Sequence, residues 1–337
     1  MSMFRRRLMM YQALNNKNTI SYPGLVAAWS AKGKTNEDED RDVLRDLTGN
    51  GHDILLKNFA FAGMSGYGGF NLPIDKYVIN GTFYGPTRQY GYNLDAGKTL
   101  PKLKFNVNNL SENTSFFIRI IGLDYNYIIN KNGYWETDTI TNNTDSKKVF
   151  EIVATGYEYN NVEIEFLPEY PNALVFDGVD DYGVNKDMPY FPDGYTLIIK
   201  RKRIKELSPN CLLIKGVEAN QTILAFENTF QRQSYETSYG STNHGVIKEF
   251  SKNDIVYRTP NSYNGITLTK GVYTETGNYN KIICLGNRYD SRYTNFAFYS
   301  AYLFDRSLSE QEIKSFIRKH IDPSYLLPGE AEQARQK

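Results

Sequence analysis

The clearest indication of the fold comes from Ala173-Leu-Val-Phe-Asp-Gly-Val-Asp-Asp-Tyr182. On an extended chain Leu174 and Phe176 point to one side and Val175 to the other, as in a strand. Asp177-Gly178 follows, and this pair suits a tight turn because glycine tolerates positive φ. The stretch therefore predicts a strand, a turn and a second strand, which together form a hairpin.

The composition favours an all-β protein. With 27 Tyr, 19 Phe and 26 Gly in 337 residues, the chain is rich in residues that suit pleated sheets and turns. A chain of this length has room for two domains. Its net charge of +1 indicates no attraction to nucleic acid. No run of 18 apolar residues occurs, so we expect no membrane insertion.

Strand-like and helix-like signals lie on both sides of this stretch. Leu25-Val-Ala-Ala-Trp-Ser-Ala31 reads as a first strand, and a turn-rich segment, Asp46-Leu-Thr-Gly-Asn-Gly-His-Asp53, comes after it. Near the end, Ser309 can cap a helix with Glu312 as its capping-box partner. We therefore predict a short C-terminal helix.

These phrases resemble laminin-G-like domains of the concanavalin A type. The similar passages are the first strand with the segment 46–53, the stretch 173–182, and Asp305-Arg-Ser-Leu-Ser-Glu-Gln-Glu-Ile313. The resemblance implies a jelly-roll sandwich, which hosts both lectins and glycosidases. Because the 173–182 phrase normally lies early in such domains, its late position implies an insertion.

Alternating runs between residues 98 and 171 predict the inserted module, a small immunoglobulin-like β-sandwich. The predicted fold is therefore all-β, with a concanavalin A-like (laminin-G-type) jelly roll interrupted by this sandwich. The predicted segments are an N-terminal arm (1–22), two jelly-roll parts (23–97 and 172–327), the insertion (98–171) and a polar tail (328–337).

The arm is a candidate anchor for a partner. It combines three arginines with large apolar residues, and the predicted anchoring residues are Phe4, Arg5, Arg6, Arg7, Leu8 and Met9. Such a segment could dock on an acidic, partly apolar groove. The alternative is a terminus that contacts nothing.

No metal or cofactor site is predicted. Asp38, Asp40 and Asp42 match the first positions of an EF-hand loop, but Val43 and Gly49 replace its glycine and its glutamate. A calcium site of another kind and a solvated acidic loop both remain open. Cys211 and Cys284 each suit a buried free thiol, with a disulfide across the sandwich as the alternative.

The motifs also lead us to predict a protein that is not an enzyme. Glu163-Ile-Glu165 is the nearest match to the paired glutamates of retaining glucanases, but it lacks their aspartate and third carboxylate. None of the three histidines, His52, His244 and His320, has a second histidine or a cysteine at metal-ligand spacing, and no Gly-x-Ser-x-Gly elbow occurs.

Loops rich in tyrosine are candidate glycan or protein contacts. Aromatic rings stack on sugar rings, while neighbouring polar groups bind hydroxyls. The candidate residues are Tyr235, Tyr239, Tyr263, Arg288, Tyr289 and Tyr293. Tyr263 is preferred to Tyr257 in its loop because Tyr257 follows an apolar pair that suits a strand end.

The chain also resembles structural proteins of bacteriophages that infect Bacteroides-type gut bacteria. Phe4-Arg-Arg-Arg-Leu8, Gly24-Leu-Val-Ala-Ala-Trp29 and the 173–182 phrase carry this resemblance. It implies a homo-oligomeric virion protein, of head or tail decoration or fibre type, whose partners are other virion proteins and host surface glycans. A glycan-active enzyme and a bacterial lectin are the alternatives.

Overall fold

The structure, a computed structural model, describes residues 19–123, 125–189, 191, 194–205, 211–215, 224–228, 233–238, 241–246, 253–267, 281–288 and 292–326. Within the strands, only the backbone of residues 211, 214, 215, 224–228, 233–238, 241–246, 288 and 292 is described. In this part of the chain antiparallel strands predominate and a single short helix lies near the C-terminus. The predicted all-β class and C-terminal helix are confirmed.

The strands, in chain order, are β1 (Leu25–Ser30), β2 (Val43–Leu44), β3 (Ile54–Lys57), β4 (Gly66–Tyr67), β5 (Lys76–Thr82), β6 (Thr87–Leu94), β7 (Thr99–Leu100), β8 (Lys104–Asn108), β9 (Phe116–Ile121), β10 (Tyr125–Ile129), β11 (Gly133–Glu136), β12 (Ile140–Thr141), β13 (Lys148–Ala154), β14 (Glu158–Phe166), β15 (Leu174–Asp177), β16 (Tyr182–Asn185), β17 (Thr196–Lys205), β18 (Cys211–Lys215), β19 (Leu224–Asn228), β20 (Gln233–Ser238), β21 (Ser241–Val246), β22 (Ile255–Thr259), β23 (Ser262–Tyr263), β24 (Ile266–Thr267), β25 (Ile283–Leu285), β26 (Asn287–Arg288), β27 (Arg292–Tyr293) and β28 (Asn295–Phe304). The helix, α1, spans Glu310–His320.

The chain divides into two compact units. Unit 1 contains the described residues of Met1–Phe59 and Asn172–Lys337, and unit 2 is Ala60–Pro171. In unit 1, sheet A has the order β24-β23-β22-β17-β28-β15, and β1 pairs with the C-terminal half of β28. Sheet B has the order β2-β3-β16-β25-β18-β19-β20-β21.

The stretch 173–182 joins these two sheets. β15 pairs with β28 in sheet A, whereas β16 pairs with β3 and β25 in sheet B. Gly178 lies between them with φ of +78°, so the predicted strands and turn are present. The predicted hairpin is wrong, because each strand finds its hydrogen-bonding partners in a different sheet. All of Leu174, Val175 and Phe176 are buried as a result.

Aromatic rings fill the space between the two sheets. Phe176 stacks on Phe296 with ring centroids 4.5 Å apart, and Phe59 meets it edge-on at 5.0 Å. A Cβ atom at Gly286, next to β25, would lie 2.5 Å from the Phe176 ring. The glycine therefore lets sheet B approach sheet A at this point.

Helix α1 covers the other face of sheet A. Ile313, Phe316 and Ile317 are the buried side chains of the helix, as its apolar spacing predicts. The Phe316 ring lies edge-on to Tyr302 and Phe304, with centroids 5.0 and 5.1 Å away. No helix in the described residues has the length and apolar character that a membrane span requires.

Unit 2 begins earlier than the predicted insertion. β5 and β6, which lie within residues 23–97, pair with β14 and β13 and so belong to unit 2 rather than to the jelly roll. Sheet C of this unit has the order β10-β9-β13-β6, and sheet D has the order β11-β8-β14-β5. The boundary at residue 98 is therefore wrong, and the structure places it at Ala60.

The two sheets of unit 2 enclose a core of their own. Alternate residues of β8, β9, β13 and β14 point into it, including Phe105, Phe116, Phe150 and Ile164. Each of these is at most 1% exposed. The opposite faces of sheets C and D carry the polar residues considered below.

Candidate functional site

Several predicted contact residues lie outside the described part of the chain. The whole predicted anchor, Phe4 to Met9, is among them, as are Tyr239 and Tyr289. Tyr235 lies in β20 and Arg288 in β26, but their side chains are outside the described residues. These candidates remain predictions.

Two of the tyrosine candidates are described, and neither presents a free ring. Tyr263 lies in β23, paired with Arg258 of β22, and is only 1% exposed. Its ring cannot stack on a sugar, so this candidate is wrong; the short strand β23 turns the side chain inward. Tyr293 is half-buried, with its ring 6.4 Å from that of Tyr182.

Neighbouring side chains engage two carboxylates of the acidic loop, Asp38 and Asp40. Asp40 pairs with Lys34 and, at 3.3 Å, with Arg45. Burial opposes ionisation of Asp40, but these two cations outweigh it and lower the pKa of the carboxyl. Asp38 accepts hydrogen bonds from Thr35. These partners favour the solvated-loop interpretation over a calcium site.

The segment 46–53 has a structural role. The buried Asp46 carboxylate accepts hydrogen bonds from the backbone N–H groups of Ala28, Thr48 and His52 at 3.0 to 3.1 Å. Trp29 Nε1 donates to the carbonyl oxygen of His52 at 2.7 Å. Asp46 thus ties β1 to the following loop, and His52 contributes through its backbone.

Three carboxylates approach one another in the turn of the 173–182 stretch. The ligand-type oxygens of Asp177, Asp180 and Asp181 all lie within 4.8 Å of one another. Carboxylates of this kind suit a hard cation. However, Asp181 accepts a hydrogen bond from Asp177 N at 2.9 Å, and Asp177 accepts one from Val179 N at 2.7 Å. These two hydrogen bonds close the turn, so Asp177 and Asp181 have a structural role without a cation.

The cysteine alternatives are resolved for one residue. Cys284 is a buried free thiol, so the disulfide alternative is wrong. Burial raises the pKa of this thiol to about 11, with Lys186 opposing the shift. Cys284 is therefore protonated and unreactive near neutral pH.

An exposed group that the sequence did not reveal lies on β11 and the segment before β8. Tyr134 is 54% exposed, and its hydroxyl donates to Glu136 Oε2 at 2.8 Å. Lys102 Nζ donates to the other oxygen of Glu136, also at 2.8 Å. We call Tyr134, Glu136 and Lys102 the tyrosine platform. The alternation in Gly133-Tyr-Trp-Glu136 is the sequence pattern that could have placed Tyr134 and Glu136 on one face of a strand.

Hydrogen bonds fix the charges of the platform. Lys102 and then Tyr134 lower the pKa of Glu136, and Glu136 raises the pKa of both Lys102 and Tyr134. Glu136 is thus an acceptor for two neighbours at neutral pH. The ring of Tyr134 is held in one orientation with much of its surface in solvent.

Polar residues of sheet D extend this surface. Tyr134 lies opposite Asn106 of β8, which in turn lies opposite Glu165 of β14, and Lys104 lies opposite Glu136. Residues opposite one another on neighbouring strands point to the same face. An aromatic ring, an amide, an amine and carboxylates therefore share one outer face.

Glu163 and Glu165, the nearest match to the catalytic glutamates of retaining glucanases, also lie on this face. Glu163 forms an ion pair with Lys76 at 2.7 Å, and Glu165 is exposed. As residues two apart on one strand, they point the same way.

Comparisons with known proteins return distant similarities. No protein-family model and no curated protein matches the chain. Trypanosoma rangeli sialidase in complex with the inhibitor DANA is 15% identical over 44% of this chain and 27% of the sialidase, with a TM-score of 0.33. The same sialidase in complex with sialic acid is 12% identical over 71% and 46%, with a TM-score of 0.34. The chain therefore spans less than half of these sialidases.

This finding corrects one prediction. The sequence motifs led us to expect a protein that is not an enzyme, whereas all of the similar structures named here are sialidases, which are glycoside hydrolases. That expectation is contradicted and is withdrawn. The expectation rested on the absence of known catalytic motifs. Such motifs reveal only active sites whose residue spacing is already known. With TM-scores of 0.33 and 0.34, the similarity in turn assigns no reaction to this chain.

Proposed function

We propose that this chain is a structural protein of a bacteriophage particle that recognises glycans through the outer face of sheet D. The observation that carries the glycan part is the tyrosine platform, an exposed ring held in place by a hydrogen-bonded carboxylate. The proposal that the protein belongs to a phage particle rests on the resemblance of residues 4–8, 24–29 and 173–182 to bacteriophage structural proteins.

The chemistry of the platform matches a sugar. A pyranose offers an apolar C–H face for stacking and a rim of hydroxyl groups that both donate and accept. The ring of Tyr134 meets the first need. Glu136 and Lys102 beside the ring, and Asn106 and Glu165 on the same face of sheet D, offer acceptors and donors for the second.

The fixed orientation of Tyr134 favours binding. Immobilising a mobile side chain costs about 0.5–1.5 kcal/mol on association. Because Glu136 already holds the hydroxyl in the free protein, part of this cost is met before the ligand arrives.

In this proposal residues 3–11 anchor the chain to neighbouring virion proteins, and the two units are displayed outward. The test uses the full chain and a shortened chain that begins at Ser21, each incubated with purified particles and with a glycan array. We expect both proteins to bind the same glycans and only the full chain to bind particles. Absence of glycan binding by the full chain would disprove the recognition role, and equal particle binding by both would disprove the anchor.

A further inference from the structure

Arg88, Arg119 and Glu151 form a charged cluster on the outer face of sheet C. Glu151 Oε1 lies 3.3 Å from Arg88 Nε, and Glu151 Oε2 accepts a hydrogen bond from Arg119 Nε at 3.1 Å. The side chain of Glu151 is 3% exposed, whereas those of Arg88 and Arg119 are 54% and 41% exposed. Two guanidinium groups thus cover one carboxylate, and the cluster presents a net positive charge to solvent.

A β-bulge and a glycine position Arg88. Along β6 and β13 the register passes from Tyr90 opposite Ile152 to Arg88 opposite Val153, so Gln89 is an extra residue. Such a bulge re-aims the adjacent side chain. The guanidinium of Arg88 then occupies the place where a Cβ atom of Gly91 would stand. Arg88 can keep this position only because residue 91 is glycine.

Arg119 retains donors for a further anion. Within the described residues, no hydrogen bond or ion pair other than the one to Glu151 engages either guanidinium. Each group uses its Nε, and the remaining N–H donors of a guanidinium form a fork that fits a carboxylate. Because Arg88 shares the negative charge of Glu151, part of the charge of Arg119 remains uncompensated.

Among the described residues, the strand beside Arg119 lies at an edge of its sheet. β10 ends the order of sheet C, and its sequence Tyr125-Asn-Tyr-Ile-Ile129 contains no charged residue and no proline. Edge strands are normally protected by such residues against pairing with another chain. On the outer face Asn126 lies opposite Arg119, and the 54% exposed Ile128 lies opposite Phe117.

We propose that this edge binds an extended acidic segment of a partner protein, which adds to sheet C as a strand next to β10. Neighbouring strands lie about 4.8 Å apart, so a glutamate on the added strand reaches over Asn126 to Arg119. Every second residue of the segment points to this face, where an apolar residue contacts Ile128. The charge of the cluster rules out the basic arm, Arg5 to Arg7, of a second copy as the occupant.

The test uses the full chain and a fluorescein-labelled, acetylated peptide of four Val-Glu repeats. Asn126→Glu places a carboxylate beside Arg119 within the chain itself, and Asn126→Gln is the matched neutral control at the same exposed position. We expect fluorescence anisotropy to show peptide binding that weakens with salt. Asn126→Glu should lower the affinity about tenfold or more, and Asn126→Gln should leave it unchanged.

Three results would overturn the proposal. The first is equal binding by Asn126→Glu and Asn126→Gln, with circular dichroism showing both folded. The second is equally tight binding of a Val-Lys peptide. The third is binding of dextran sulfate without binding of the Val-Glu peptide, which would assign the cluster to a sulfated polysaccharide.

Discussion

Asp46 shows how one side chain can account for a recognisable sequence phrase. Its carboxylate accepts three backbone N–H groups, from Ala28, Thr48 and His52, and also the hydroxyl of Thr48. The glycines at 49 and 51 have positive φ, which lets the loop fold around the carboxylate. The phrase 46–53 is therefore explained by folding rather than by binding.

Replacing Asp46 should destabilise unit 1. Asp46→Ala leaves three backbone donors without acceptors, one buried and two partly buried, and we expect a loss of about 2–4 kcal/mol in the free energy of unfolding. Urea denaturation measures the change. Asp42→Ala removes an exposed carboxylate from the loop before β2 and should change stability by less than about 0.5 kcal/mol. Equal effects of the two substitutions would contradict this role of Asp46.

At the residue scale, sequence patterns located tyrosines but not their environment. Tyr263 and Tyr134 both adjoin turn residues in the sequence, yet Tyr263 is 1% exposed and Tyr134 is 54% exposed. Which face of a strand is covered depends on the neighbouring strands and sheets, and this pairing is not written in the local sequence. The Arg88 cluster was missed for the same reason, because it joins residues from three strands.

At the element scale, helix α1 follows its sequence signals closely. Ser309 caps the helix, its hydroxyl accepting from the backbone N–H of Glu312, and Glu312 accepts from the backbone N–H of Ser309 at 2.9 Å. Arg306 adds an ion pair to Glu312 at 2.8 Å. These contacts, with Arg306 first, lower the pKa of Glu312 to about 2 from its ordinary 4.5.

The capping box predicts a specific pH dependence. Because the pKa of Glu312 is lower in the folded state, its contribution is present above pH 4.5 and is lost as the pH falls toward 2. Ser309→Ala should lower the free energy of unfolding by about 1 kcal/mol at neutral pH. The loss should be smaller at pH 2 to 3, where protonation of Glu312 has already weakened the capping box. Thermal unfolding of both proteins between neutral pH and pH 2 measures this difference in stability. Ser315→Ala, on the exposed face of the same helix, should show no such pH dependence; a matching profile would refute the assignment.

Strands of the insertion with clear apolar alternation were predicted, whereas β5 and β6 were not. The runs that became β8, β9, β10, β13 and β14 were all recognised from their apolar residues. β5 and β6 were not predicted as strands of the insertion, and Gly81 and Gly91 interrupt the alternation in them. In the structure Gly81 adopts φ of +119° beside an irregular pairing with β14, and Gly91 makes room for Arg88.

At the scale of the whole molecule, an insertion was predictable but its start was not. The late position of the 173–182 phrase indicated that a second module precedes it, and Asn172 does begin the second part of unit 1. The start at Ala60 depends on the pairing of β5 and β6 with β14 and β13. These pairings join residues that are from 54 (Leu94 and Lys148) to 89 (Lys76 and Glu165) positions apart, a distance over which local patterns carry no information.

Unit 2 should fold without unit 1. Its sheets C and D share a closed core that includes Phe105, Phe116 and Phe150. A fragment of residues 60–171 should therefore unfold in one cooperative transition, as small single domains usually do. The matched fragment 98–171 lacks β5 and β6 and should not. Circular dichroism on heating compares them, and cooperative folding of the shorter fragment would contradict the boundary at Ala60.

Calorimetric titration with the glycan that binds best on the array measures glycan recognition by the tyrosine platform. Tyr134→Ala removes the platform ring. Tyr84→Ala removes a ring that is 97% exposed and lies in the turn after β5, the strand at the opposite edge of sheet D from β11. We predict about tenfold to thirtyfold weaker binding for Tyr134→Ala, equivalent to ~1.4–2 kcal/mol, and unchanged binding for Tyr84→Ala. Wild-type affinity in folded Tyr134→Ala would show that the glycan binds elsewhere.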